Sequence, residues 1–218
     1  MTGSIANTEL HGERPPKTSS IPLIHRIYAA LGARFRRKRI SDFLSSFAVS
    51  PTTRILDIGG SLSFWRGLPV QVTVLNLDPN VAHRVADARN LPFADRSFDI
   101  AFSNSLIEHV GDYQDQVACA REIARVGVRY YVQTPNQRFP IEPHLLVPFI
   151  HWLPLRWRKL LVRLTPWAIL THPDRRTIDE LLSTRMLTAK EMKQLFPDAE
   201  LSSERFCGLC KSFIATRR

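Results

Sequence analysis

Four short apolar runs set the rhythm of the middle of the chain: ILDI (55–58), VTVLNL (72–77), FDIAFS (98–103) and RYYVQT (129–134). Runs this short, rich in β-branched and aromatic residues, read as buried strands. Between the last two, Asp112 is placed to cap a helix whose Tyr113, Val117, Ala120 and Ala124 share a face, with Gly127 at its end. Further on, Thr188 and Glu191 have the T-x-x-E spacing of a capping box, Met192 and Leu195 face inward, and Pro197 stops the helix. The stretches 199–206 and 210–216 read as a closing pair of strands. Strands alternating with helices predict an α/β fold, a doubly wound and mostly parallel sheet covered on both faces. Ahead of it, Ile24, Ile27, Tyr28, Leu31, Phe35, Ile40, Phe43, Leu44 and Phe47 recur at helical spacing, with Arg34, Arg36, Arg37, Lys38 and Arg39 as a basic band.

At 218 residues and 44% hydrophobic content the chain can bury one substantial core. Residues 1–20 are polar, with Pro15 and Pro16 among Ser and Thr, and read as a flexible N-terminal segment. Residues 21–218 read as a single domain with a substrate-side insertion at about 136–185. The net charge of +10 is unevenly placed: residues 1–50 carry 8 basic and 3 acidic side chains, 51–135 carry 8 and 9, and 136–185 carry 8 and 4. The positive field therefore flanks a near-neutral centre and favours an anionic partner. Within the insertion, Trp152, Trp157 and Trp167 alternate with Arg156, Arg158, Lys159 and Arg163, while Pro148, Pro154 and Pro166 divide it into short pieces. Residues with an apolar body and a polar end suit a membrane interface or a lipid-chain groove; a helical lid with solvated arginines meets the same pattern.

Cys119, Cys207 and Cys210 are too few for a disulfide framework, and the lone C-x-x-C reads as small residues in a sheet. No apolar run reaches the roughly twenty residues needed to span a bilayer, and nothing before residue 20 reads as a signal peptide. The expected location is cytoplasmic, with peripheral attachment at the inner membrane surface compatible with the charge.

The chemistry concentrates in RILDIGG (54–60), where Asp57 ends an apolar strand just before Gly59 and Gly60. A carboxylate followed by residues that tolerate positive φ suits a loop that lets a ligand approach its backbone. Asp78 ends the second run, where an acid in nucleotide-binding α/β folds accepts hydrogen bonds from ribose hydroxyls. Asp87 follows in ADARNLPF, within reach of a base edge. Three carboxylates and no phosphate-binding lysine imply a nucleoside ligand without a pyrophosphate. A dinucleotide site would need G-x-G-x-x-G opening a helix, whereas SLSFWRG follows Gly60.

This arrangement resembles the class I S-adenosylmethionine-dependent methyltransferases, in particular the type 11 branch, from about Arg54 to Asn136. ILDIGG corresponds to the family's first motif, LNLD to its ribose-binding acid, and DARNLPFADRSFDIAFSNSLIEHV to its third and fourth motifs. The resemblance implies a seven-stranded Rossmann-like sheet and S-adenosyl-L-methionine as cofactor. It implies Asp57, Gly59, Gly60 and Ser61 at the methionine end, Asp78 at the ribose, Asp87 and Ala88 at the adenine, and Ser103 and Asn104 beside them. Where the family usually carries alternate glycines, this chain has Ser61 and Ser63.

Methyl transfer from a sulfonium rests mainly on alignment, and a hydroxyl acceptor also needs a base. His109 leads, with Glu108 adjacent, and His144 and Glu142 could converge from the insertion. Related quinone O-methyltransferases use E-x-x-E-H as metal ligands; Ser105 replaces the first acid here, so no metal is expected. The expected function is methylation of a small-molecule or lipid-like acceptor, at a hydroxyl. The alternatives are an RNA methyltransferase, suggested by the basic charge though Ser103, Asn104 and Ser105 stand where N-P-P-[YF] would serve a flipped base, and a cofactor-binding regulator without turnover. An anionic membrane surface is a further expected partner, nucleic acid a weaker one.

Overall fold

The computed structural model describes residues 35, 37–142 and 147–218. The chain divides into two compact units, Met1–Ser46 and Phe47–Arg218. In the first, residues 37–46 form helix α1, with Lys38 Nζ 2.6 Å from Asp42 Oδ2 one turn away. Residues 24–34 and 36 of the expected basic helix lie outside the described residues.

The second unit is built on seven strands: β1 (Arg54–Ile58), β2 (Gln71–Asn76), β3 (Arg84–Val85), β4 (Phe98–Asn104), β5 (Gly127–Pro135), β6 (Glu200–Phe206) and β7 (Leu209–Arg217). They form one sheet in the order β3-β2-β1-β4-β5-β7-β6, in which β7 alone runs antiparallel to its neighbours. The reversal from β1–β2–β3 to β4 leaves a switch point at the C-terminal tips of β1 and β4, where open α/β sheets bind ligands. Asp57 pairs with Val74 on one side and Phe102 on the other, which puts its carboxylate at that point.

Successive strand residues face opposite sides of a sheet. Leu56, Ile58, Ala101, Tyr130 and Val132 pack with Ala120 and Ile123 of helix α2 (Tyr113–Val126) and with Met192 and Phe196 in and after helix α6 (Ala189–Leu195). Their neighbours Asp57, Phe102 and Tyr131 turn the other way. There the Phe102 ring stacks on Tyr131 at 5.2 Å and meets Phe64 at 5.9 Å and Trp65 at 5.2 Å. The link from β1 to β2 holds only a 3-10 turn, Leu62–Trp65, so aromatic rings cover this part of the sheet in place of a crossover helix.

The expected helix boundaries hold: Asp112 caps α2 in a reciprocal box with Asp115, and Thr188 does the same for α6 with Glu191. The inward face of α2 is shifted from the apolar pattern, to Gln116, Cys119, Ala120, Ile123 and Val126. Gln116 tolerates burial because its Nε2 donates to the carbonyls of Ile107 and Arg185, at 3.0 and 2.8 Å. Gly127 is not a left-handed cap: its φ is −96°, and a Cβ there would lie 2.7 Å from the Ala101 methyl, so close strand packing demands the glycine. Cys207 sits in the β6–β7 turn rather than in a strand; its φ of 49° and Gly208's 78° are those of a primed hairpin turn.

The insertion has its own small core of Ile150, Val162, Ile178 and Leu182. It comprises 3-10 turns Ile150–Trp152 and Val162–Leu164 with helices α3 (Leu155–Leu161), α4 (Pro166–Thr171) and α5 (Arg175–Ser183). Phe102 ties the aromatic layer together, so Phe102→Ala should lower unfolding free energy by about 3–5 kcal/mol. Urea denaturation tests this; a loss below about 1 kcal/mol would mean that the layer is not a packed core.

Candidate cofactor and acceptor site

The Asp57 carboxylate is 1% exposed and accepts a 2.6 Å hydrogen bond from the Trp65 indole Nε1 at Oδ2. Its Oδ1 has no partner among the described residues. Burial pushes its pKa up to about 7, against the lowering effect of the Trp65 bond, so the ionised form lacks the polar company a buried charge requires. The loop closes directly over this group. A Cβ on Gly60 would fall 1.6 Å from Asp57 Oδ2, and Gly59 has a φ of +80° that L side chains rarely adopt.

Two further contacts fix the loop. The Gly59 N–H donates to Leu75 O at 2.7 Å, and the Asn76 side-chain amide donates to the carbonyls of Gly59 and Gly60, at 3.2 and 2.7 Å. Ser61 then caps the 3-10 turn that carries Trp65, in an extended conformation (φ −139°) that needs no glycine; its Oγ lies 2.9 Å from Ser63 Oγ. The serines thus start the turn that sets the indole on Asp57.

At the tip of β2, Asp78 is exposed; its Oδ1 accepts from the backbone and side chain of Asn80, both at 2.9 Å, and its Oδ2 has no partner among the described residues. Leu77 beside it is 71% exposed and Val85 58%, an apolar surface next to an open carboxylate. Asp87, expected within reach of a base edge, is already paired. Arg89 grips it through Nε at 3.0 Å and Nη2 at 2.6 Å, reaches Asp115 with Nη1 at 2.8 Å, and holds the Asp87 carboxyl below its usual range. Ala88 packs into the core.

Ser103 is buried, with an Oγ that finds no partner among the described residues, and Asn104 is half-buried. Ser105 takes a left-handed φ of +55°, held by hydrogen bonds from its N–H and Oγ to Gln133, both 2.9 Å. The chain then enters a 3-10 turn, Ile107–His109. His109 is exposed, with Nδ1 3.3 Å from Thr184 Oγ1 at the end of the insertion. Glu108 is fully buried and accepts from Thr134 Oγ1 at 2.9 Å, while its carbonyl accepts from the Arg185 N–H at 2.8 Å. A carboxylate so placed anchors the turn from inside. Glu142 is buried inside the insertion, where its charge acts on His151 and Arg158, and His144 lies outside the described residues.

Asp57, Gly59, Gly60 and Ser61 therefore form one knot at the tip of β1, and Ser103, Asn104 and His109 continue from the neighbouring tip of β4. Trp65, Asn76, Arg89, Gln116 and Thr184 complete the arrangement and were not evident from the sequence. For the first of them the signal that could have been used is a tryptophan five residues after Gly60, in SLSFW.

Comparison with known proteins finds likeness in part of the sequence and in the fold. Residues 54–128 match the sequence model of the type 11 methyltransferases, described as a methyltransferase domain. An uncharacterised protein of Mycobacterium tuberculosis is 34% identical over 55 residues, a quarter of this chain and 19% of that protein's length. A crystal structure of a possible exported protein from Bordetella parapertussis superposes with a TM-score of 0.59 at 14% identity, covering 94% of this chain and 76% of that one. Magnesium protoporphyrin IX methyltransferase from Synechocystis, solved with bound SAH, gives 0.56 at 10% identity over 92% and 90% of the two chains. At such identities the structures establish the fold, and the sequence match shows that residues 54–128 are similar to a methyltransferase domain of the type 11 kind.

The buried Asp57 gives stability a definite pH dependence. Its folded pKa lies above the unfolded value of 3.8, so the folded state retains a proton that the unfolded chain releases. Stability should fall as pH rises from about 4 to about 7 and level off above, by an upper bound of roughly 4 kcal/mol. Asp57→Asn retains an oxygen for Trp65 and removes the titration. The difference in unfolding free energy between wild type and Asp57→Asn should therefore change steadily across that window in urea titrations; a constant difference would contradict the burial of an ionisable group here.

Proposed function

We propose that the protein transfers a methyl group from S-adenosylmethionine to a small-molecule or lipid-like acceptor, at a hydroxyl, with His109 as general base. The supporting observation is the juxtaposition at the switch point of the sheet: the Asp57–Gly60 knot and the open Asp78 on one side, the His109 turn tied to the insertion through Thr184 and Arg185 on the other.

The residues fit the cofactor. The unpartnered Oδ1 of buried Asp57 is a ready acceptor for the ammonium of the methionine end, with the Gly59 and Gly60 loop and Ser61 around it. Asp78 would accept from ribose hydroxyls, with Leu77 and Val85 as apolar cover near Asp87 and Ala88 for the adenine, and with Ser103 and Asn104 alongside. Asp87, already paired with Arg89, would shape that end of the pocket rather than meet the base with a free carboxylate. When bound, the cofactor supplies a methyl group on a sulfonium. His109, exposed beside Thr184, can take the acceptor's proton. Glu108 positions that imidazole by anchoring the turn from below. The lipid-like character of the acceptor is supported by the concentration of tryptophan and arginine at residues 139–170 and by the basic residues 34–39. An enzyme of this kind would work on the cytoplasmic side, at the inner membrane surface.

Two measurements test the reading. Asp78→Ala should weaken S-adenosylhomocysteine binding about ten- to a hundredfold in calorimetry, the loss of hydrogen bonds to a charged acceptor; unchanged affinity in a folded variant discards the ribose site. With labelled cofactor and fractionated lipid pools, His109→Ala should slow turnover by about 10²–10⁴ with cofactor affinity nearly intact. Turnover near wild type would remove His109 as the base, and incorporation into RNA alone would replace the lipid-like acceptor.

A further inference from the structure

The insertion keeps an unusual surface. Of the thirteen large apolar side chains that the described residues expose, eight fall between Phe149 and Ile169, including Trp157 (48%), Leu160 (59%), Leu164 (68%) and Ile169 (56%). Helix α3 buries none of its residues, although four of its seven are leucine or tryptophan. Trp157, Leu160 and Leu164 follow one another at i, i+3 and i+7, a single stripe along α3 and the turn after it. The opposite side supplies Val162 to the insertion's own core, so the stripe is surplus to folding. Leaving that much apolar surface in water marks a binding face.

Charge identifies what covers it. From residue 143 to residue 173 there is no Asp or Glu, while Arg156, Arg158, Lys159 and Arg163 are present. Arg156, Lys159 and Arg163 form a second stripe beside the apolar one, one residue out of step, and all three are exposed. Next to it a cavity of about 360 Å³ is lined by Arg163, Arg175 and His172 against Ala168 and Ile178; Asp174, also at its wall, accepts from the Thr177 N–H at 2.8 Å. Apolar side chains flanked by a purely cationic band match the boundary between the acyl chains and phosphates of an anionic bilayer. A protein partner's face would instead have to supply a matching row of acids. No helix among the described residues is long and apolar enough to cross a membrane, so the contact is one of lying on the surface.

We propose that residues 149–169 are a monotopic docking surface for an anionic phospholipid bilayer, with Trp157, Leu160, Leu164 and Ile169 entering the acyl boundary and Arg156, Lys159 and Arg163 meeting the phosphates. This gives the lipid-like acceptor of the proposed function a route: the end of the same insertion, Thr184 and Arg185, touches the His109 turn, so a surface seated on a bilayer holds that turn close to it. The proposal deepens that reading, and its test separates the two.

The full chain is mixed with vesicles of phosphatidylcholine alone or of equal parts phosphatidylcholine and phosphatidylglycerol, at low and high salt, and bound protein is measured by flotation. Binding should be at least about tenfold stronger to the anionic vesicles at low salt and should decline with salt. Acyl chains brominated near the head group should quench tryptophan emission, and Trp157→Phe should remove part of that quenching. Leu160→Asp with Leu164→Asp should abolish flotation at both salts; Arg156→Glu with Arg163→Glu should abolish the preference for phosphatidylglycerol. Both variants should bind S-adenosylhomocysteine as wild type does, so a failure of docking with cofactor binding intact counts against this proposal alone. No flotation in any condition overturns it. So does a lipid-free dimer that Leu160→Asp dissociates without any vesicle binding, which would give the face to a second copy of the chain.

Discussion

A carboxylate sealed at the end of a central strand organises everything around it. The Asp57 carboxylate is sealed from water where it stands, and among the described residues it holds a single side-chain hydrogen bond, from Trp65. Its neighbours follow from this. Gly60 is a glycine because the chain passes over the carboxylate with no room for a Cβ, and Asn76 reaches across from β2 to hold the two glycine carbonyls that the turn leaves over. The indole that caps Asp57 is also a member of the aromatic layer on Phe102 and Tyr131. Packing of the sheet and shape of the binding loop are therefore one structure. A buried acid with an unpartnered oxygen is costly by itself and gains from a cationic ligand beside it.

The departure from the family's alternating glycines gains a physical explanation in this frame. A glycine in place of Ser61 would supply backbone freedom that the φ of −139° does not use, and would remove the hydroxyl that starts the 3-10 turn. The loop is closed by side chains, Trp65 and Asn76, where the sequence pattern suggested closure by glycines.

How much was legible in advance depended on how local each determinant is. Strand runs and capping boxes are written within a few residues, so β1, β2, β4, β5 and the starts of α2 and α6 could be read directly. The two-residue edge strand β3 carries no periodicity and was not. Gln116 broke the apolar pattern of α2 because its burial depends on carbonyls 9 and 69 residues away. Asp57, Gly59 and Asp78 stood out by spacing, yet the Arg89 grip on Asp87, the Asn76 clamp and the Thr184 contact to His109 join segments that the sequence does not mark as neighbours. Glu108 looked like a partner for His109 because it is adjacent in the chain; with three residues per turn in a 3-10 helix successive side chains diverge, and Glu108 went inside while His109 stayed at the surface.

The central claim is that this buried acid sits at the methionine end of an S-adenosylmethionine site. Titration of S-adenosylhomocysteine by calorimetry near pH 6.5, in two buffers of different ionisation enthalpy, tests it most directly. The claim requires saturable one-to-one binding whose heat differs between the buffers by the release of a proton, as the ligand's ammonium draws Asp57 into its ionised form, and the loss of that difference in Asp57→Asn. Binding with identical heats in both buffers would place the ammonium away from Asp57, and a folded protein with no binding heat at all would contradict the account.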